Sequence, residues 1–201
     1  MKFPNTKLIV ITTASAVMQY AKEFNKFFED PSFHQVVLHE HMPKSNGAKT
    51  YAQARFEALK SFASVSPDSS TALYLNYAVL LKEGNNILAA IQALKQDGYN
   101  VFLILDEASH FKNLKSQTFQ YISAISKVCN KVLAATATIT NGRLEEIYSI
   151  LKGINITPFG NKAQFMKRYC VTTSLPNQPY SLSILAPVRS RFPIFSWRFG
   201  S

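Results

Sequence analysis

Five short apolar runs, separated by longer amphipathic stretches, constrain the fold of this chain more than any other feature. The runs fall near residues 7–13, 35–39, 71–76, 100–105 and 131–136, and the amphipathic stretches near 16–28, 48–63, 78–96, 115–127, 142–152 and 161–169. Runs of this length suit buried strands, and apolar residues three and four apart suit helices. Their alternation predicts an α/β fold: a parallel sheet with helices on both faces. Pro31, Pro43, Pro67 and Gly84 punctuate the pattern, and Asp97-Gly98 marks the turn into the fourth run. There is no internal repeat.

The fourth run ends in chemistry. Leu103-Ile104-Leu105 delivers Asp106-Glu107 to its C-terminal end, and Ala108-Ser109-His110-Phe111-Lys112-Asn113 follows. Ligands of open α/β sheets bind at that end of the strands. An Asp-Glu pair there suits a nucleotide site, the Asp holding Mg²⁺ through oxygen and the Glu orienting a water. The same two residues also suit a plain helix N-cap. His34, His39 and His41 have His-x-His spacing but no nearby Cys or further His, so a strand-end surface cluster is expected, not a metal site.

At 201 residues and 47% hydrophobic content, the chain is long enough to bury a substantial core. No apolar run approaches the roughly eighteen residues of a membrane span. Met1-Lys2-Phe3-Pro4 leads straight into a strand and does not read as a leader. Cys129 and Cys170 lack metal-type spacing, so reduced thiols and a cytoplasmic or nucleoplasmic setting are expected, with no membrane partner. The net charge of +10 is lopsided: residues 1–100 carry +2 and residues 101–201 carry +8, with seven basic residues and no acid after Glu146. Such a balance suits a polyanion, although a solvated basic face has the same composition.

Downstream of the carboxylates, Lys131-Val132-Leu133-Ala134-Ala135-Thr136-Ala137-Thr138 ends in hydroxyls and runs into Asn141-Gly142-Arg143-Leu144-Glu145-Glu146-Ile147-Tyr148-Ser149-Ile150-Leu151. Asp-Glu-Ala-x-x-x-Lys-Asn, then Thr-Ala-Thr and Asn-x-x-Leu-Glu-Glu-x-Tyr-Ser-x-Leu, resemble motifs II and III of the Swi/Snf-like helicases of superfamily two. Lys7-Leu8-Ile9-Val10-Ile11-Thr12-Thr13-Ala14-Ser15 looks like motif Ia of that family, and Gln19 to Phe24 like the helix after it. Thr71 to Tyr77 is similar to the strand ending in Ser-Tyr, and Phe159 to Tyr169 to the helix closing the first lobe. The likeness covers residues 7 to about 170.

The resemblance implies a partial RecA-like ATP-binding lobe over 1–170, with ATP, Mg²⁺ and DNA as ligands. It places Mg²⁺ on Asp106, water activation on Glu107 and nucleotide coupling on Thr136 and Thr138. DNA contact falls on Thr12, Thr13, Ser15, Asn76 and Tyr77. Lys112 and Asn113 lie beside the carboxylates, either stabilising the turn or facing DNA. Strand-end Thr residues also serve as caps, and Tyr77 also suits a core position with a wet hydroxyl. Ser109, Thr13 and Ile139 depart from the residues usual at their positions in the family.

The family's Gly-rich phosphate loop normally precedes motif Ia, where this sequence begins. Gly47-Ala48-Lys49-Thr50 is a poor substitute: it lacks the glycine five places earlier, has Ala between Gly and Lys, and follows motif Ia. Lys49 reads better as the first turn of a helix through Ala54, Phe56, Leu59 and Phe62. The second lobe with its arginine finger is likewise outside the likeness. In lobes of this family the phosphate-loop strand lies beside the motif III strand. A separately encoded complementary helicase segment is therefore an expected partner, and the edge at Lys131 to Thr136 is expected to be open. Residues 171–201, with four prolines, three arginines and no acid, read as an irregular basic tail. Three readings follow: a part of a DNA helicase or translocase that is inactive alone, a non-catalytic nucleic-acid-binding module, or another phosphohydrolase that uses Asp106 and Glu107 without a phosphate loop.

Overall fold

A computed structural model of the chain describes residues 5–27, 33–42, 50–64, 71–137, 145–156, 160–173 and 182–185. Strands β1 (Thr6–Thr12), β2 (His34–Leu38), β3 (Thr71–Asn76), β4 (Asn100–Leu105) and β5 (Lys131–Ala134) form one sheet in the order β2-β3-β1-β4-β5. Every pairing is parallel: β1 lies between β3 and β4, with Ile9 opposite both Leu73 and Leu103. Helices α1 (Val17–Phe27), α2 (Tyr51–Ser64), α3 (Tyr77–Gln96), α4 (Gln117–Val128), α5 (Glu145–Gly153) and α6 (Lys162–Tyr169) connect or follow the strands. Among the described residues, no helix is long and apolar enough to cross a membrane.

The period-two alternation of the strands sorts the core into two layers. Ile9, Ile11, Leu73, Leu75, Val101, Leu103 and Leu105 face α2, α3, α4 and α5, which contribute Leu59, Phe62, Leu80, Ile87, Ile91, Ile122, Ile125 and Ile150. Val10, Ala72 and Tyr74 face the other way, where Val17 and Ala21 of α1 cover them, with Tyr20 and Phe24 alongside. Helices thus lie on both faces, but unequally. Helix α1 rests on β3 and β2, so on this second face Leu133 of β5 is left 59% exposed.

Handedness explains the asymmetry. The step from β1 to β2 crosses the sheet in one direction, and the steps β2 to β3, β3 to β4 and β4 to β5 run in the other. Right-handed crossovers then require α1 on one face and α2, α3 and α4 on the opposite face.

Two features differ from the sequence expectation. Strand β5 stops at Ala134, short of the expected residue 136, because Ala135 turns toward β4: its N–H donates to the Leu105 carbonyl and its carbonyl accepts from Ala108. The tail read as irregular also contains an antiparallel pair, β6 (Cys170–Thr173) with β7 (Leu182–Leu185). Both strands are rich in β-branched and aliphatic residues, a composition that favours pairing.

Candidate functional site

The C-terminal ends of β1, β3, β4 and β5 converge on Asp106 and Glu107. Chain continuation fixes the first carboxylate: the Asp106 N–H donates to the Ile11 carbonyl at 2.9 Å, extending the β1–β4 ladder by one residue. Thr12, the last residue of β1 and fully buried, donates its hydroxyl to Asp106 Oδ2 at 2.8 Å. The Tyr20 phenol of α1 lies near enough to feel the Asp106 carboxylate. Burial first, then the Asp106 charge, then Glu107, hold this phenol above its ordinary pKa. From α3, the Tyr77 hydroxyl donates to the Asp106 main-chain carbonyl at 2.7 Å. Its pKa is also raised, chiefly by burial and then by the two carboxylates. Two hydroxyls, from β1 and α3, therefore fix Asp106 while a third, from α1, lies near its carboxylate, and none of them brings a positive charge.

Glu107 is held differently. Its backbone lies in the left-handed region, with φ 51° and ψ 55°, at the entry to a 3-10 turn over Ala108–Phe111. Non-glycine residues at such angles are uncommon and cluster at functional sites. The Ala108 N–H donates to the Ala135 carbonyl at 2.9 Å, and Phe111 and Ala108 are fully buried beneath the turn. The Thr136 hydroxyl reaches Glu107 Oε2 at 3.4 Å, a long contact. The His110 ring stacks on Tyr77 with centroids 4.7 Å apart and planes 16° from parallel.

The other residues singled out from sequence fall into three groups. Asn76 is buried and caps α3, its Oδ1 accepting from the Val79 N–H at 2.8 Å. Thr12, Asn76 and Tyr77 are thus buried, with their polar atoms turned toward Asp106 or a helix end. Thr13 and Ser15 lie at the entry to α1 with their hydroxyls 3.2 Å apart, and Ser15 is exposed. Lys112 pairs with Glu146 of α5 at 3.0 Å. The exposed Asn113 accepts from the Lys115 N–H and leads into Ser116, the N-cap of α4. Thr138 and Lys49 lie outside the described residues. Thr50 caps α2, exchanging bonds with Gln53.

A cleft of about 390 Å³ opens beside the turn, lined by Lys112, Lys115, Glu145, Glu146 and Lys162 among others. Among the described residues, no three His, Cys, Asp or Glu side chains gather as a metal cluster. His39 Nε2 instead lies 3.1 Å from Met18 Sδ, and the His41 ring meets Tyr51 edge-on. Burial pushes the pKa of the free Cys129 thiol up to about 12.

Sequence reasoning missed Tyr20, His110 and Glu146. Tyr20 shares the Val17-Tyr20-Ala21-Phe24 stripe of α1, which reads as core. Only the placement of α1 over the sheet shows that its tip passes the stripe and comes near Asp106.

A parallel sheet with paired carboxylates at the end of a central strand defines the RecA-like α/β class. The model of the SNF2-related domain family matches residues 2–192, and the chain belongs to that family. The match runs past residue 170, where the motif resemblance ends, into the segment read as tail. The fold is similar to that of the Sulfolobus solfataricus SWI2/SNF2 ATPase core in complex with dsDNA, with a TM-score of 0.52 and 18% identity, over 82% of this chain and 28% of that one. The chain therefore spans well under a third of that structure's length. A comparison with curated proteins found no match.

Proposed function

We propose that this chain supplies part of the first ATPase lobe of a DNA-dependent, ATP-driven helicase or translocase, with residues 1–170 as its lobe portion. The observation that carries the reading is the Asp106-Glu107 pair at the end of β4, anchored at Asp106 by the Thr12 and Tyr77 hydroxyls and turned at Glu107 through a left-handed residue. Mg²⁺ takes one or two carboxylates and fills its remaining positions with water and phosphate oxygens, so a single anchored Asp fits it better than a cage would. Asp106 is the residue to hold the ion, which would neutralise charge on a nucleotide's phosphates. Glu107, with no Lys or Arg in ion-pair contact among the described residues, is the residue proposed to orient and deprotonate a water. Thr136, bonded to Glu107, and Thr138 after it are the proposed link between nucleotide state and DNA. Thr13 and Ser15 are the motif Ia groups presented outward, while Thr12, Asn76 and Tyr77 act behind them by fixing the strand ends.

The open side of the sheet supports completion by a further βα segment. Ala135 directs both its backbone groups toward β4 and the turn that follows it. Alternation therefore aims the backbone groups of Val132 and Ala134 away from β4. A strand added there and joined to β1 would step in the same direction as β1 to β2. A right-handed crossover would then lay its helix on the second face, over Leu133. By resemblance, that segment is the one bearing the phosphate loop, whether encoded with this chain or separately.

The test is ATP hydrolysis with and without DNA, for this chain and for a version extended upstream through a phosphate-loop segment. Turnover is expected in the extended form, and Glu107→Gln should lower it by about 10²–10⁴-fold. Turnover by the short chain alone would overturn the need for a completing segment. A second reading, a non-catalytic DNA-binding module in an intracellular setting, is favoured by the basic C-terminal half; it predicts salt-dependent DNA binding with no turnover in either form.

A further inference from the structure

The strand-end carboxylates are held through their backbones as well as their side chains. The Asp106 carbonyl accepts from the Tyr77 hydroxyl at 2.7 Å, and the Glu107 carbonyl accepts from the His110 N–H at 3.0 Å. The His110 ring in turn lies on the Tyr77 ring, with centroids 4.7 Å apart and planes 16° from parallel. A circuit closes. Chain continuity joins Asp106 to Glu107, the 3-10 turn joins Glu107 to His110, the stack joins His110 to Tyr77, and the phenol returns to Asp106. Phe111, the next residue, is fully buried, so the turn that carries His110 is pinned to the core from beneath. The imidazole itself is exposed, and its nitrogens join no hydrogen bond or ion pair among the described residues. It acts through its face, against a tyrosine that is buried.

The structure assigns His110 as a positioning residue of the strand-end site: its ring braces Tyr77, and the braced phenol sets Asp106 for a divalent cation. This rests on reading Asp106 as the residue that holds Mg²⁺. The two bonds to Asp106 act at different ends of the residue. Thr12 fixes Oδ2 at 2.8 Å, and Tyr77 fixes the main chain. With Tyr77 free to tilt, the main chain shifts against a fixed Oδ2, and the carboxylate loses the orientation that a cation with strict geometry requires. Groups behind a metal ligand tune its affinity in this way without touching the ion. Near-parallel rings attract beyond the area they bury, so a ring of any aromatic kind at position 110 should serve as the brace.

Mg²⁺ alone, titrated into the chain and followed by the NMR shift of the Asp106 amide, tests the brace without any turnover. His110→Ala should raise the Mg²⁺ dissociation constant about 2- to 12-fold, the factor that an aromatic pair is worth. His110→Phe, which keeps the ring and removes its nitrogens, should bind as the wild type does. In a Tyr77→Phe background the alanine change should add nothing, because the brace then has no hydroxyl to hold. A wild-type chain whose Asp106 amide ignores Mg²⁺ overturns the proposal. So does an alanine variant that binds normally, a phenylalanine variant as weak as the alanine one, or additive effects in the double variant. Hydrolysis by the upstream-extended form is read separately. Its absence alongside the expected Mg²⁺ series supports the brace while striking the ATPase reading.

Discussion

Glu107 holds φ 51° and ψ 55° although it is not glycine. Left-handed backbone costs an ordinary residue about 1–2 kcal/mol, and glycine gives back part of that advantage, about 0.5–1 kcal/mol, through its freer unfolded chain. A residue retained there against the local preference is retained for its side chain. Glu107→Gly is therefore expected to be more stable than Glu107→Ala by about 0.5–1 kcal/mol, while both lack the carboxylate. Thermal or urea melts of the two variants decide it: a glycine variant no more stable than the alanine one would mean that the turn relaxes without strain. Lys7 is a second residue set against its surroundings. It is fully buried, bonded to Thr71 at 3.2 Å and 4.8 Å from the Tyr99 ring centroid, and burial lowers its pKa to about 8.

At the scale of elements, much is legible in the sequence. The five strands and six helices lie within about three residues of their expected places, because buried parallel strands and amphipathic helices carry different periods. Ser116 and Asn76 show why helix starts are readable: each is a short polar side chain that accepts from an N–H three residues on. The turn at Ala108–Phe111 is not legible, since its four residues are too few to show a period. Nor is the burial of Lys7, which alternation alone assigns to either face. Of the candidate site, Asp106 and Glu107 are legible, but the inward turn of Thr12, Asn76 and Tyr77 depends on neighbouring strands that sequence spacing does not reveal. Gly84 reads as punctuation and turns out to be a packing residue inside α3. A Cβ there would lie 2.5 Å from Tyr121 Cδ1 of α4 and 2.7 Å from its Cγ, too deep in the ring for a small swing to relieve. Overpacking costs about 1–3 kcal/mol against a helix-propensity gain of about 1 kcal/mol. Gly84→Ala should thus destabilise, and adding Tyr121→Ala should restore much of the difference. A stabilised single variant would show that α3 and α4 separate easily.

For the whole molecule, the decisive feature is an imbalance between the sheet's two faces. Parallel sheets are ordinarily covered on both sides. Here α2 to α5 crowd one face while α1 covers only part of the other, and Leu133 stands 59% exposed on an edge strand. Fully burying a leucine is worth about 1.5–3 kcal/mol, and an edge strand adds outward backbone groups that favour pairing with another chain. The short chain is therefore expected to self-associate as its concentration rises, measured by sedimentation velocity. Leu133→Lys, which places a charge on that face, should suppress association with little change in the melt, because the leucine contributes little burial to the isolated fold. The upstream extension used to test hydrolysis should suppress association without any substitution, since its strand and helix would occupy the edge and the face together. Association that survives both changes would locate the sticky surface elsewhere and remove the structural argument for a completing segment.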